Sequence, residues 1–165
     1  MKSVLFIRHA KSNWDSASVN DFDRSLNERG KKDAPEMAKH LISRKVPLDS
    51  FISSPAKRAR KTAEFFIKAY ELPESALVLK AELYLPSTDV FYKVIENAED
   101  QFHHLAICSH NPAITNFVNL LTSEIRVDNI PTCGIFAIQT DIKRWLDFRK
   151  ASKRFWFFDY PKNHT

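Results

Sequence analysis

Glycine is scarce in this 165-residue chain, which contains only Gly30 and Gly134. Two isolated glycines cannot form the GxGxxG or Walker A loops that cradle nucleotide phosphates, so the sequence excludes both kinds of nucleotide site. Any phosphate that this chain binds must therefore be held by cationic side chains and by the free amide groups at helix starts.

Cysteine is equally rare. Cys108 and Cys133 are too few and too isolated for a disulfide framework or a zinc knuckle. Cys108 lies in an apolar run, so we expect it to be a buried core residue. We expect the protein to need no metal ion or other cofactor.

Long apolar runs are also missing. The first run, residues 4–7, is far shorter than the core of a signal peptide. No stretch reaches the ~20 apolar residues that a membrane-spanning helix needs. The length and the hydrophobic content of 44% are typical of a globular protein. We expect one cytoplasmic domain over residues 1–165, with no membrane partner.

Basic residues outnumber acidic ones, 25 to 20, which gives a net charge of +5. Such an excess suits an acidic or phosphorylated substrate, although ordinary solvated surface also produces it. Basic clusters at 57–61 and 149–154 leave nucleic-acid binding as an alternative. The aromatic tail at 155–160 is interpreted as a core strand with a wet edge rather than a base-stacking platform.

Short apolar runs alternate with helical patterns, which predicts an α/β fold. Strands are expected at residues 2–7, 50–53, 77–80, 105–108, 134–140 and 154–160. Helices are expected to begin at residues 34, 55, 88 and 112, with Asp33, Ser54, Ser87 and Asn111 as N-caps. Residues 143–148 fit either a strand or a short helix. This alternation predicts three layers, α/β/α, around a mainly parallel central sheet.

Two histidines each follow an apolar run, in Arg8-His9 and in Ser109-His110. The pattern indicates buried strands with reactive groups at their carboxyl ends. Ligands of open α/β sheets bind beyond the carboxyl ends of parallel strands. The sequence therefore predicts that both histidines belong to one anion site.

Arg58 is expected in the first turn of the helix that follows residue 55, where free amide groups attract anions. With Arg8 it would offer two guanidiniums, whose planar forks donate paired hydrogen bonds to phosphate oxygens. A neutral histidine can act as a nucleophile towards phosphorus. Since positioning and charge stabilisation dominate phosphoryl transfer, these groups could suffice without a metal.

Three motifs occur in the order RH at 8–9, RAxxTA at 58–63 and SHNP at 109–112, and together they resemble the histidine phosphatase superfamily, which includes the phosphoglycerate mutases. The DxxRxLxxxG segment at 21–30 resembles the stretch that follows the first motif in that family. The short length and the form RHAKS at 8–12 are most similar to the SixA-like phosphohistidine phosphatases. The resemblance extends from Lys2 to Pro161.

The resemblance implies a phosphoglycerate mutase-like fold and a role for each matched residue. His9 would be the nucleophile that becomes phosphorylated. Arg8 and Arg58 would grip the phosphate. His110 would bind its oxygens and stabilise the pentavalent transition state, and Arg24 would help to shape the substrate side.

The sequence departs from the family pattern at two points. Ala10 stands where relatives have glycine, and a positive φ there would cost roughly 1 kcal/mol. Many relatives place a general acid after the third strand, where Glu82 is the nearest candidate and an ordinary exposed glutamate is the alternative. A phosphohistidine substrate would depend less on an acid, because imidazole leaves phosphorus more readily than an alkoxide does.

The resemblance implies a metal-independent phosphatase that works through phosphorylated His9. We expect it to dephosphorylate phosphohistidine in a protein, with a small phosphate ester as the alternative substrate. A mutase is a further alternative, but it would need covering segments for which this chain has little length to spare. A non-catalytic module that binds phosphate or nucleic acid is the remaining one, although no nucleic-acid partner is expected.

Overall fold

The computed structural model of the chain describes residues 1–14 and 19–164, which contain a six-stranded sheet and four α-helices. The strands are β1 (Lys2–Arg8), β2 (Ser50–Ser53), β3 (Leu77–Leu79), β4 (His104–Ser109), β5 (Ile135–Thr140) and β6 (Lys153–Asp159). The helices are α1 (Glu28–Ser43), α2 (Lys57–Ala69), α3 (Thr88–Glu96) and α4 (Ala113–Leu121).

The sheet has the strand order β3-β2-β4-β1-β5-β6. The first four strands in this order run parallel to one another, whereas β5 and β6 are antiparallel to their neighbours. The predicted α/β fold with a mainly parallel sheet is therefore confirmed.

Alternate residues of the central strand β1 serve two separate cores. Leu5 and Ile7 pack with the apolar faces of α1 and α2, while Val4 and Phe6 pack with those of α3 and α4. This division follows from the two-residue period of a strand, which sends successive side chains to opposite faces of the sheet. Because both faces are covered by helices, the predicted three-layer arrangement is confirmed.

The strand register brings the ends of three parallel strands together. Arg8 at the end of β1 is paired with Ser109 at the end of β4. Ser53 at the end of β2 is paired with Cys108 of β4. The segments that leave β1, β2 and β4 therefore emerge side by side at one edge of the sheet.

Helix α1 begins earlier than the sequence analysis predicts. The N-cap is Asn27, whose side-chain oxygen accepts a hydrogen bond from the amide of Gly30 at 2.9 Å. Pro35 therefore lies inside the helix, where its missing N–H removes one backbone hydrogen bond. A Cβ atom on Gly30 would lie 2.2 Å from the carbonyl oxygen of Lys11, so glycine allows α1 to pack against the loop that follows β1.

The predicted cap at Ser54 is wrong. Helix α2 starts at Lys57, after an N-cap without a side-chain hydrogen bond. The Ser54 hydroxyl oxygen accepts from the amide of Ala56, two residues on, and its hydroxyl is hydrogen-bonded to the His110 ring. The serine thus joins the ends of β2 and β4 instead of starting a helix. Arg58 nevertheless lies in the first turn of α2, as predicted.

The predicted cap at Asn111 is also wrong, because α4 begins at Ala113 and its first amides receive no bond from that side chain. Asn111 instead accepts a hydrogen bond from the Thr115 hydroxyl and donates to the carbonyl of Ile130. Ser87 does cap α3, accepting from the amide of Val90 at 3.3 Å. The two failed caps lie at strand ends, where tertiary partners compete for their polar atoms.

Three smaller sequence expectations concern the core and the tail. Cys108 is fully buried, as expected. The ambiguous segment at 143–148 contains a single 3-10 turn, Trp145–Asp147, while the aromatic tail forms the edge strand β6. Within the described residues, the structure contains no helix with the length and apolar character required to cross a membrane.

Candidate active site

A cleft of about 550 Å³ opens at the edge of the sheet where β1, β2 and β4 end. Five of the six site residues predicted from the sequence line it, namely Arg8, His9, Arg24, Arg58 and His110. The side chains come from separate parts of the chain, and the strand register described above brings them together. Glu82 is the predicted residue that does not line the cleft.

His9 is buried and its ring is fixed at both nitrogens. Nδ1 donates to the carbonyl of Ala10 at 2.8 Å, while Nε2 accepts from Nε of Arg58 at 3.3 Å. An acceptor at Nε2 requires that the ring proton lies on Nδ1. Burial lowers the pKa of His9 well below 6.5, and the nearby His110 and arginines lower it further. His9 is therefore a neutral imidazole with an unprotonated Nε2.

Ala10 is fully buried and adopts no left-handed backbone conformation, so the strain considered for this position does not arise. Its amide donates to the Thr62 hydroxyl at 2.9 Å, and that hydroxyl donates to the carbonyl of Arg58 at 2.7 Å. Thr62 thus ties the loop after β1 to the first turn of α2. Thr62 belongs to the RAxxTA motif at 58–63, but the motif alone does not predict this role.

Arg8 enters the cleft from the end of β1. Its Nη1 donates to the carbonyl of Ile130 at 3.0 Å, whereas Nε is buried and has no hydrogen-bond partner among the described residues. Burial, and then the charge of Arg58, lower the pKa of Arg8. A guanidinium nevertheless remains protonated in proteins, so the cleft holds two adjacent positive charges.

Arg58 makes contacts on all three of its nitrogens. Nε donates to His9, Nη1 donates to the backbone carbonyl of Asp21 at 2.6 Å, and Nη2 pairs with the carboxylate of Asp21 at 3.1 Å. These contacts orient the plane of the guanidinium beside the unprotonated Nε2 of His9. Arg58 can therefore neutralise negative charge on a group that binds beside His9.

His110 lies opposite His9, with their ring centroids 5.2 Å apart. Its Nε2 is 2.8 Å from the Ser54 hydroxyl, and its Nδ1 is buried without a partner among the described residues. Burial, and then the charge of Arg58, lower the pKa of His110 to about 3. A buried polar nitrogen without a partner costs about 1–3 kcal/mol, so a ligand that bonded to Nδ1 would recover free energy.

Asp21 and Tyr84 also line the cleft, although the sequence alone predicts no role for either residue. Partial burial raises the pKa of Asp21, but hydrogen bonds from Tyr84 and Arg58 outweigh this and lower it to about 2. Asp21 is therefore ionised at neutral pH. The position of Asp21 in the DxxRxLxxxG segment is a sequence signal for this residue. For Tyr84 the only sequence signal is its position two residues after Glu82.

Arg24 lines the cleft as well, and its role in shaping the substrate side stays a prediction. Its Nη1 donates to the Ser12 hydroxyl at 2.9 Å, and its guanidinium also pairs with Asp21. The guanidinium carbon lies 3.7 Å from the centroid of the Trp14 ring. These partners place a third positive charge at the cleft beside a large aromatic side chain.

Glu82 lies in the 3-10 turn Ala81–Leu83, which follows β3. Its side chain is exposed and does not line the cleft, whereas Tyr84, two residues further on, does. Its role as a general acid therefore stays a prediction without a contact to support it. Among the described residues, no group of three or more His, Cys, Asp or Glu side chains is arranged to hold a metal ion.

The two buried histidines make the fold sensitive to acid. In the unfolded chain both rings bind protons near pH 6.5, whereas in the folded chain the pKa of His110 is about 3 and that of His9 is also far lower. The unfolded state therefore binds more protons, and the free energy of unfolding falls as the pH drops below 6.5. Each histidine contributes up to ~1.4 kcal/mol per pH unit.

We expect His110→Gln to reduce this pH dependence by about a third to a half, since one buried imidazole is removed while His9 and the partly buried His104, whose pKa burial also lowers, remain. Denaturant unfolding at about pH 7, 6 and 5 measures the slope in both proteins. An unchanged slope in the variant would contradict the neutral, buried state of His110.

Comparisons with known proteins agree with this geometry. The model of the histidine phosphatase superfamily (branch 1) matches residues 4–83, which include Arg8, His9 and Arg58. An uncharacterised chloroplastic protein of Arabidopsis thaliana is 38% identical over 61 residues. That match covers 37% of this chain, and only 28% of the length of the plant protein.

Two solved structures match over almost the whole chain. The Agrobacterium tumefaciens protein assigned as phosphohistidine phosphatase SixA is 25% identical, with a TM-score of 0.81 over 97% of this chain and 98% of the other. The protein histidine phosphatase SixA in complex with tungstate is 22% identical, with a TM-score of 0.84 over 99% of both chains. Residues 4–83 therefore match the histidine phosphatase superfamily (branch 1), and the fold of the chain is that of the solved SixA-like phosphatases.

Proposed function

We propose that the protein is a metal-independent phosphatase that removes the phosphoryl group from phosphohistidine in a partner protein, through a phosphorylated His9 intermediate. The observation that carries this proposal is the neutral His9, whose Nε2 faces a cleft bordered by Arg8, Arg58 and His110. In-line phosphoryl transfer needs a positioned nucleophile and stabilisation of negative charge, and this imidazole, the two guanidiniums and the second imidazole can supply both.

In the first step, the Nε–H of Arg58 turns from Nε2 of His9 to a phosphoryl oxygen, and the freed lone pair of Nε2 attacks phosphorus while Arg8 also binds the phosphoryl oxygens. A bond forms between Nε2 and phosphorus, the bond to the leaving group breaks, and its electron pair goes to the leaving atom. Water then attacks phosphorus, the bond to His9 breaks, and the proton from water leaves with inorganic phosphate. Positive charge around the transferring group stabilises both pentavalent transition states.

His110 is the second imidazole in this mechanism. The Ser54 hydroxyl oxygen already accepts from the Ala56 amide, so its own proton is free to point towards Nε2 of His110. That arrangement places the ring proton on Nδ1, which has no partner among the described residues. We propose that Nδ1 donates to a phosphoryl oxygen as negative charge develops there.

The absence of a protonated carboxylic acid at Asp21 favours phosphohistidine over an alkyl ester as the substrate. Asp21 is ionised, with its pKa lowered to about 2, so it is a poor proton donor at neutral pH. An alkoxide needs a proton as it leaves, whereas the imidazole of phosphohistidine can carry a proton on its remote nitrogen before the bond to phosphorus breaks. The reaction can then proceed without a carboxylic acid beside the leaving group.

The rim of the cleft favours a protein substrate over a small one. Leu85 and Trp14 line the cleft and are 84% and 78% exposed, more than any other large apolar side chain among the described residues. Exposed apolar side chains beside a site are typical of surfaces that contact a macromolecular partner. We propose that the surface around the phosphohistidine of the partner packs against these two side chains.

A comparison of substrates tests the proposal. We expect kcat/KM for a phosphohistidine-bearing protein domain to exceed that for alkyl phosphates by about 100-fold or more, as one proton transfer contributes 10²–10⁴-fold. Phosphate release is measured for both at equal enzyme concentration. Equal or higher efficiency with an alkyl phosphate would instead support a small-molecule phosphatase.

The variant Leu85→Ala separates contacts to the partner from the chemistry itself. We expect a fall in kcat/KM of about threefold to tenfold for the phosphohistidine domain, from lost apolar burial, with little change for a small phosphoramidate. Leu146→Ala is the matched control, since Leu146 is 62% exposed and does not line the cleft. An equal loss with both substrates would rule out Leu85 as a contact to the partner.

A further inference from the structure

The carboxylate of Asp21 lies between two guanidiniums of the cleft. One oxygen, Oδ1, accepts from Arg24, with contacts of 3.1 Å to Nε and 3.0 Å to Nη2. The other, Oδ2, is 3.1 Å from Nη2 of Arg58 and also accepts a short hydrogen bond from the Tyr84 hydroxyl. The carboxylate of Asp21 is therefore an internal anion that pairs with two of the arginines beside the proposed phosphate site.

These contacts use the part of Arg58 that a phosphoryl group would need. Both terminal nitrogens of Arg58 donate to Asp21, one to its backbone carbonyl and one to its carboxylate. Paired donation from the two arms of a guanidinium is the geometry by which arginine grips phosphate. A phosphoryl group that takes this grip has to replace the Asp21 carboxylate on Arg58.

The carboxylate is placed so that such an exchange is feasible. Its side chain is 51% exposed, whereas that of Arg58 is only 6% exposed. On release, Asp21 would regain water around its oxygens, which offsets much of the lost attraction. Arg58 cannot regain water in this way, because its guanidinium is buried and needs an anionic partner at all times.

We propose that Asp21 competes with the substrate for Arg58, so that binding exchanges a carboxylate for a phosphoryl group and the carboxylate sets how strongly an anion must be attracted in order to bind. The exchange gains net charge attraction only when the incoming group carries more than one negative charge. The displacement costs every ligand the same free energy, so phosphoryl dianions, which Arg58 attracts most strongly, still bind, while monoanions such as carboxylates and phosphodiesters are held only weakly. This inference rests on the proposed function, since it assigns the phosphoryl group to Arg58.

Binding of two tetrahedral oxyanions tests the proposal without any need for turnover. Tungstate is a dianion and perrhenate is a monoanion of nearly the same shape, so their dissociation constants, measured by calorimetry, report the effect of charge. We expect Asp21→Asn to bind tungstate about fivefold tighter than the unsubstituted protein, the usual size of a half-exposed ion pair. Perrhenate should gain by about the same factor, because displacing the carboxylate costs both oxyanions the same free energy.

Asp23→Asn is the matched control. Asp23 belongs to the same 3-10 turn, Asp21–Asp23, and the described residues show no ion pair to its carboxylate. The substitution removes the same charge at nearly the same place and should change both affinities by less than about twofold, because exposed charges are screened. Thermal unfolding of both variants checks that the fold is intact.

Equal gains in the two variants would attribute the effect to net charge and overturn the competition. Weaker binding by Asp21→Asn would overturn it as well, because that result means that Asp21 only holds Arg58 in place. If neither oxyanion bound to any of the three proteins, the phosphate site itself, and with it the proposed function, would fail. Tighter oxyanion binding by Asp21→Asn in a protein that does not hydrolyse phosphohistidine would leave the competition standing and remove only the proposed reaction.

Discussion

Replacing His9 with alanine is expected to lower kcat for phosphohistidine hydrolysis by about 10⁴-fold or more, since no other group in the cleft supplies the attacking atom. Binding should survive the change, because His9 is neutral and contributes no charge to the grip on phosphate. Single-turnover assays measure the chemical step, and tungstate calorimetry measures the oxyanion affinity.

His103→Ala is the matched control for this prediction. His103 is exposed and does not line the cleft, so the same substitution there should leave kcat within about twofold, as for other surface positions. Substantial turnover by the His9 variant would show that water, or a different nucleophile, attacks phosphorus directly. That outcome would contradict a covalent intermediate on His9.

Replacing Arg58 with lysine is expected to reduce kcat/KM by about 100- to 1000-fold, the usual cost of removing one group that stabilises transition-state charge. Lysine keeps the positive charge, but it lacks the planar fork that donates to two oxygens at once. It also lacks the Nε–H that contacts Nε2 of His9. Steady-state kinetics with the phosphohistidine domain measure this loss.

Arg60→Lys is the control for Arg58, since Arg60 lies two residues further along α2 and pairs with Glu64 on the surface. We expect almost no change in its kinetics, because surface ion pairs contribute little. If Arg58→Lys retained near-normal efficiency, the charge alone would suffice and the paired grip on the phosphoryl group would be wrong. A loss confined to folding would appear as a lower unfolding midpoint for Arg58→Lys alone.

The convergence of the site was predictable because it follows from topology. Four apolar residues before Arg8 and four before Ser109 indicated buried strands, and the carboxyl ends of neighbouring parallel strands meet at one edge. The observed pairing of Arg8 with Ser109 confirms that reasoning. It places His9 and His110 one residue beyond a common register position, so their rings face each other across the cleft.

The polar partners within the site were not predictable in the same way. Ser54 reads as a helix cap in sequence, yet its hydroxyl bonds to His110, 56 residues away along the chain. Asn111 likewise bonds to Ile130 instead of capping α4. A local pattern reports which residues can cap a helix, but it cannot report a distant partner that competes for the same atoms.

The predicted start of α1 was wrong for a different reason. The prediction of a helix that begins at Ala34 places Pro35 in its first turn, because proline is costly in a helix interior. The N-cap at Asn27 and the close packing of Gly30 on Lys11 fix the helix from its other end. The N-cap and the tertiary contact together outweigh the local penalty of the proline.

The central claim is that a phosphoryl group passes through Nε2 of His9. The most direct measurement is rapid acid-free quenching during turnover of a phosphohistidine domain, followed by mass spectrometry of the peptide that contains residues 8–12. The account predicts one acid-labile phosphoryl group on His9, which appears before inorganic phosphate and is absent in His9→Ala. Hydrolysis at the full rate with no phosphorylated histidine in that peptide would contradict it.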